Sequence, residues 1–133
     1  MPDIPWSTPT QAAPDAVVHV MASRFETATL AGAVRFLLKT PGIVRQVRKA
    51  PGAHGVALRA RVLRRTFLTL SVWEDRDALH RFAGSEPHRS RSRAAAATMK
   101  ESTFVSWTVR GRELPLTWAE AEPRLAEERR PPR

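Results

Sequence analysis

Hydrophobic and polar side chains alternate most cleanly over residues 66–73, where Phe67, Thr69, Ser71 and Trp73 interleave with Leu68, Leu70 and Val72. A period of two over eight residues predicts a strand with one aliphatic face and one mixed polar and aromatic face. The same reading predicts a strand over residues 16–25, with Val18, Val20 and Ala22 on one side and His19, Met21 and Ser23 on the other. Residues 54–63 set Val56, Leu58, Ala60 and Val62 against Gly55, Ala57, Arg59 and Arg61, and Arg64-Arg65 makes a tight hairpin to the strand at 66–73. Residues 102–109 form the last strand, and Gly111 turns the chain.

Helical periodicity fills the gaps. Leu30, Ala33, Val34, Leu37 and Leu38 recur at helical spacing after a cap at Thr27 or Thr29. Thr40-Pro41-Gly42 predicts a stop and a new short helix to about Arg48, with Ile43, Val44 and Val47 inward. Glu74 or Asp75 caps a second helix that buries Ala78, Leu79, Phe82 and Ala83 before Gly84 breaks it. Ser85-Glu86-Pro87 restarts a helical segment whose His88, Ser92, Ala95 and Met99 share a face. Thr117 to Glu120 spells a capping box for a C-terminal helix that Pro123 should kink or split. Four prolines in residues 1–15 make that stretch an arm, residues 16–126 the domain, and residues 127–133 a frayed tail. Trp6 in the arm is read as a stray exposed side chain or as an anchor on a partner subunit.

The element order β-α-β-β-α-β is the ferredoxin-like α+β plan, an antiparallel sheet with its helices on one face. Helices are expected on the face of Val18, Leu58 and Leu70. The opposite face, with His19, Met21, Arg59, Phe67, Thr69, Ser71 and Trp73, would then lie open, so two sheets should meet in a homodimeric α/β barrel around a pocket. A chain of 133 residues with 42% hydrophobic content suits one such domain.

The sequence also resembles the antibiotic biosynthesis monooxygenase-like members of the dimeric α/β-barrel superfamily, and among them an actinobacterial-type group. The resemblance covers roughly residues 16–125 and rests on RRTFLTLSVWEDRDAL, the EPHR segment and STFVSWTVRGRELPLTWAEAEPRL. The superfamily includes cofactor-free oxygenases of polyphenolic substrates, haem-binding degraders and members with no known reaction. The resemblance therefore implies a cofactor-independent monooxygenase-like enzyme acting on an aromatic or polyketide-type small molecule. The alternative is a non-catalytic small-molecule or haem binder of the same fold. Haem-degrading relatives carry an asparagine on the first strand and a tryptophan near Phe82; this chain departs at both places, which leaves haem only as a variant ligated by His88.

Among candidate residues, His88 follows Pro87 in the first turn of a helical segment, where imidazole can serve as acid, base or ligand, or can sit on the surface. Arg59 is the candidate for holding an anion formed in the pocket. His19, Met21, Phe67, Thr69, Ser71 and Trp73 are the candidate substrate-binding set, although His19 reads more plainly as a satisfied core histidine. Without cysteine, thiolate chemistry and cysteine metal sites are excluded, and no acidic metal cluster or phosphate loop is present. The net charge of +9 raises nucleic acid as a partner, but the basic residues are spread along the chain and the HRSRSR run at 88–93 lacks interleaved aromatics. No apolar run approaches the ~20 residues that span a bilayer, and the first residues lack a signal-peptide layout, so a cytoplasmic protein is expected.

Overall fold

The computed structural model describes residues 3–84 and 99–129. Among these, strands β1 (Ile4–Ser7), β2 (Val17–Thr27), β3 (Ala53–Arg61), β4 (Thr66–Trp73) and β5 (Met99–Arg110) form one antiparallel sheet in the order β1-β3-β4-β2-β5. Helices α1 (Leu30–Lys49), α2 (Arg76–Gly84) and α3 (Trp118–Arg129) complete it. With β1 set aside, this is the ferredoxin-like α+β fold, and β1 extends the sheet beside β3.

The period-two pattern accounts for the strands, and β4 spans the residues its alternation marks out. Thr29 caps α1 by accepting from the Gly32 amide at 2.9 Å, and Asp75 caps α2 by accepting from the Ala78 amide at 2.8 Å. One long helix replaces the two expected across Thr40-Pro41. Proline at 41 cannot donate to the Leu37 carbonyl, and the Thr40 hydroxyl donates to that carbonyl instead, at 2.7 Å. Thr40→Val, isosteric but without the donor, is expected to cost about 1 kcal/mol, read as a lower urea midpoint with an unchanged slope. Pro123 likewise fails to split α3, and Met99 opens β5 instead of ending a helix. Ala83 is exposed, not buried as expected.

The faces depart from the expectation. In an antiparallel pair, residues directly opposite share a face. Leu58 lies opposite Thr69 and Arg59 opposite Leu68, so Leu58 belongs to the mixed face and Arg59 to the aliphatic one, the reverse of the sequence reading. Coverage is inverted too. The mixed face packs under α1 and α2 through Val44, Val47, Ala78 and Leu79. On the aliphatic face, Val20, Ala22, Leu68, Leu70 and Val72 pack against Leu116, Ala121 and Leu125 from the α3 region.

The proline-rich stretch contributes to this second layer. Pro5 is tolerated because β1 is an edge strand. Trp6 is not a stray side chain but packs within its own subunit: its indole lies over Gly55, where any Cβ would overlap the ring. The Gly111 and Arg112 amides donate to the Ala16 and Pro14 carbonyls at 2.8 and 3.0 Å and pin the stretch to the end of β5.

Candidate functional site

A cavity of about 490 Å³ opens between the mixed sheet face and helices α1 and α2. That volume suits a drug-sized organic molecule. Met21 and Ser23 of β2 and Thr69, Ser71 and Trp73 of β4 form its floor, Val44, Val47, Leu79 and Phe82 its roof, and Phe25, Phe36 and Phe104 one end. None of the described lining residues is ionisable. The polar equipment consists of hydroxyls: Ser23 and Thr69 are hydrogen-bonded to each other, and the Trp73 indole Nε1 donates to Ser71 Oγ at 2.9 Å. Phe82 lies against Trp73 with ring centroids 5.1 Å apart.

The structure brings four of the expected binding residues together here, namely Met21, Thr69, Ser71 and Trp73. Phe67 shares their face but is wholly buried one step further along, edge-on to Phe36 at 4.6 Å, and does not line the cavity. His19 lies at the other end, in an open groove with Asp75, Arg76, Trp107 and Arg124. Arg59 is corrected outright. It lies on the opposite face, where Nη1 meets Glu122 Oε2 at 2.9 Å, Nε meets Asp3 at 3.5 Å, and the guanidinium stacks on Trp118. Arg61 reaches the other Glu122 oxygen at 2.9 Å, so these arginines hold α3 to the sheet. His88 lies outside the described residues. Among the described residues no cluster of His, Asp and Glu could hold a metal ion.

Sequence reasoning passed over Ser23, Phe25, Ser102 and Phe104. The signal was there in part: Phe25 continues the mixed face of β2 two residues beyond Ser23, and Phe104 and Ser102 of β5 lie opposite Ser23 and Phe25.

Burial holds the His19 imidazole below its ordinary range, and the charges of Arg76 and His80 act in the same direction. A depressed imidazole means that the unfolded chain takes up a proton first as pH falls. His19 therefore leaves stability intact above its ordinary value of 6.5 and withdraws some of it below that value. Unfolding midpoints measured between about pH 7 and pH 5 should fall less steeply in His19→Gln than in the wild type.

The sheet order, two layers of cover and an apolar cavity define the class: a ferredoxin-like α+β domain built around a small-molecule-sized chamber. Residues 25–130 match the model of the Domain of unknown function (DUF3291) family, and the chain belongs to that family. No curated protein matches it in sequence. Among solved structures it is similar to a monooxygenase from the gene ActVA-Orf6 of Streptomyces coelicolor in complex with nanaomycin D, at 23% identity and a TM-score of 0.56 over 76% of this chain and 95% of that one. It is similar to SnoaB, a cofactor-independent oxygenase from Streptomyces nogalater, at 20% identity and a TM-score of 0.55 over 76% of this chain and 99% of that one. A conserved protein from Methanosarcina mazei Go1 aligns at 11% identity with a TM-score of 0.62, over 69% of this chain and 92% of that one. These likenesses establish the ferredoxin-like α+β fold, which the chain shares with all three proteins.

Proposed function

We propose that the protein is a cofactor-independent monooxygenase-like enzyme for an aromatic or polyketide-type molecule, akin to the actinobacterial-type group its sequence resembles. The observation that carries this reading is the cavity, with aromatic walls, a hydroxyl floor and no ionisable group among its described lining residues. Such a chamber suits a flat, largely apolar ligand and offers it hydrogen bonds without charge. The nanaomycin D complex of a similar fold supports a molecule of that kind.

The reaction needs no external reductant when the substrate supplies all the electrons. A ring methylene loses a proton to a base, the carbanion reduces O2, and the two combine as a hydroperoxide. Cleavage of the O–O bond and loss of the second methylene hydrogen then release water and leave the ketone, so one oxygen atom ends in the carbonyl and the other in water. The base assigned is His88, which lies in sequence between two cavity-lining residues, Ala83 and Met99. Stabilisation of the anion passes from Arg59 to the floor hydroxyls. Haem stays in the alternative reading only as a variant ligated by His88, since the described lining holds no imidazole.

An oxygen electrode with an anthrone as substrate tests the reading. One O2 consumed per anthrone above the uncatalysed rate is the expected result. Binding of the anthrone without O2 uptake would leave the rival, a small-molecule binder, which the uncharged lining also suits.

A homodimer is part of the proposal in altered form. Helices and the α3 layer pack over both faces of the sheet at β2, β3 and β4, which favours a contact elsewhere over one face to face. The 12-residue β5 offers another surface: its outer edge meets no strand among the described residues, and half-exposed Phe104 stands at the cavity's end on it. A second copy along β5 would protect that edge and close the chamber. Sedimentation should give about 30 kDa, twice the 14.9 kDa chain, and Phe104→Glu should shift it toward monomer; a wild-type monomer at micromolar concentration would remove the dimer. No helix of the described residues is long and apolar enough to cross a membrane, and a cytoplasmic location completes the proposal.

A further inference from the structure

Two hydrogen bonds organise the cavity floor, and only one of them fixes the direction of a proton. In the Ser23 and Thr69 pair either hydroxyl can donate, so the leftover O–H belongs to either residue. Ser71 is different. Its partner is the indole Nε1–H of Trp73, which donates and never accepts. The indole therefore occupies a lone pair of Ser71 Oγ and forces the hydroxyl to turn its own proton elsewhere. Trp73 has little freedom to relax this arrangement, being 1% exposed, packed on Phe82 and seated opposite His19 in the sheet. Ser71 lines the cavity, and no acceptor for its proton is found among the described residues.

We infer that Ser71, aligned by Trp73, is a preset hydrogen-bond donor that selects a neutral aromatic ketone by its carbonyl oxygen. The inference rests on the small-molecule reading of the cavity and adds to it a residue and a ligand chemistry. The donor is uncharged and stands among Met21, Leu79, Phe82 and Trp73, so a carboxylate would give up its hydration for a single neutral hydrogen bond. A carbonyl gives up far less and gains a partner whose orientation is already settled. Trp73 is a positioning residue, because its own N–H is spent on Ser71 and not on the ligand.

The test uses two rigid tricyclic probes of the same outline, 9-fluorenone and fluorene, which differ by one carbonyl. Equilibrium dialysis should show the wild type preferring fluorenone by about fivefold or more. Ser71→Ala should lose that preference while keeping its affinity for fluorene, Ser71→Thr should restore it, and Trp73→Phe should weaken it although the hydroxyl remains. The infrared carbonyl stretch of bound fluorenone should move to lower wavenumber in the wild type and Ser71→Thr but not in Ser71→Ala. An undiminished preference and an unchanged carbonyl shift in Ser71→Ala would overturn the role of Ser71 and leave the cavity reading standing. Failure of the wild type to bind either probe would overturn the cavity reading and this inference together.

Discussion

Leu70→Ala is expected to lower stability by about 2–5 kcal/mol, with Thr69→Ala, one residue earlier, costing about 1–2 kcal/mol. Leu70 is 1% exposed in the aliphatic layer that includes Val20, Leu68, Val72 and Leu125. Its neighbours across the sheet are Ala22 on β2 and Ala57 on β3, whose short side chains cannot lean into a void. The site is flanked on both sides by hydrogen-bonded strands, so it relaxes little and the cost should fall in the upper half of the range. Thr69 faces the open cavity instead, where truncation leaves no sealed hole; its cost is the loss of a partner for the Ser23 hydroxyl. Urea unfolding of the two variants decides the matter. Equal costs, or a costlier Thr69→Ala, would mean that β4 sits one residue out of register and that its two faces exchange roles.

That comparison also marks where the sequence stops being legible. Alternation within β4 and β2 sorts each strand's residues into two sets, and both sets hold in the structure. It does not say which set meets which across a hairpin. For β3 the reading grouped Leu58 with Leu70 because both are aliphatic. The connection holds four residues, Val62 to Arg65, with Arg65 at φ 55, and the pairing of Arg61 with Thr66 then sets Leu58 opposite Thr69. Hydrophobicity could not have separated the faces, because both are buried: one under α1 and α2, the other under α3 with Trp6, Ala12 and Ala16 of the N-terminal stretch. The amphipathic face of β4 looked wet or dimeric for the same reason. Its serine and threonine are polar because they floor a cavity within the subunit. Trp6 and Gly55, 49 positions apart, show the limit most plainly, since nothing local to either residue announces that an indole covers that glycine.

His88→Ala is expected to reduce anthrone-dependent O2 uptake by roughly 100-fold or more while changing anthrone affinity little, since removal of a general base typically costs two to four orders of magnitude. Three of the chain's four histidines stand away from the cavity. His54 is engaged with the Thr10 carbonyl at 2.7 Å, beside the N-terminal stretch. His19 sits in the open groove at the end of the sheet, and His80 is exposed on α2, near enough for its charge to lower the His19 pKa. None of these three lines the cavity, whose described residues hold no proton acceptor stronger than a hydroxyl. A substrate methylene bound on the floor would need a base with an acceptor near neutral pH, and imidazole is the side chain with that property. His54→Ala and His80→Ala serve as controls and should keep near wild-type uptake. If His88→Ala retains full turnover with saturating anthrone, the proton leaves by another route, such as a substrate phenolate acting on its own ring, and His88 has no catalytic part. If all three single variants retain it, the chain's contribution reduces to binding and orientation on the Ser71 floor, with the chemistry belonging to the substrate and O2 alone.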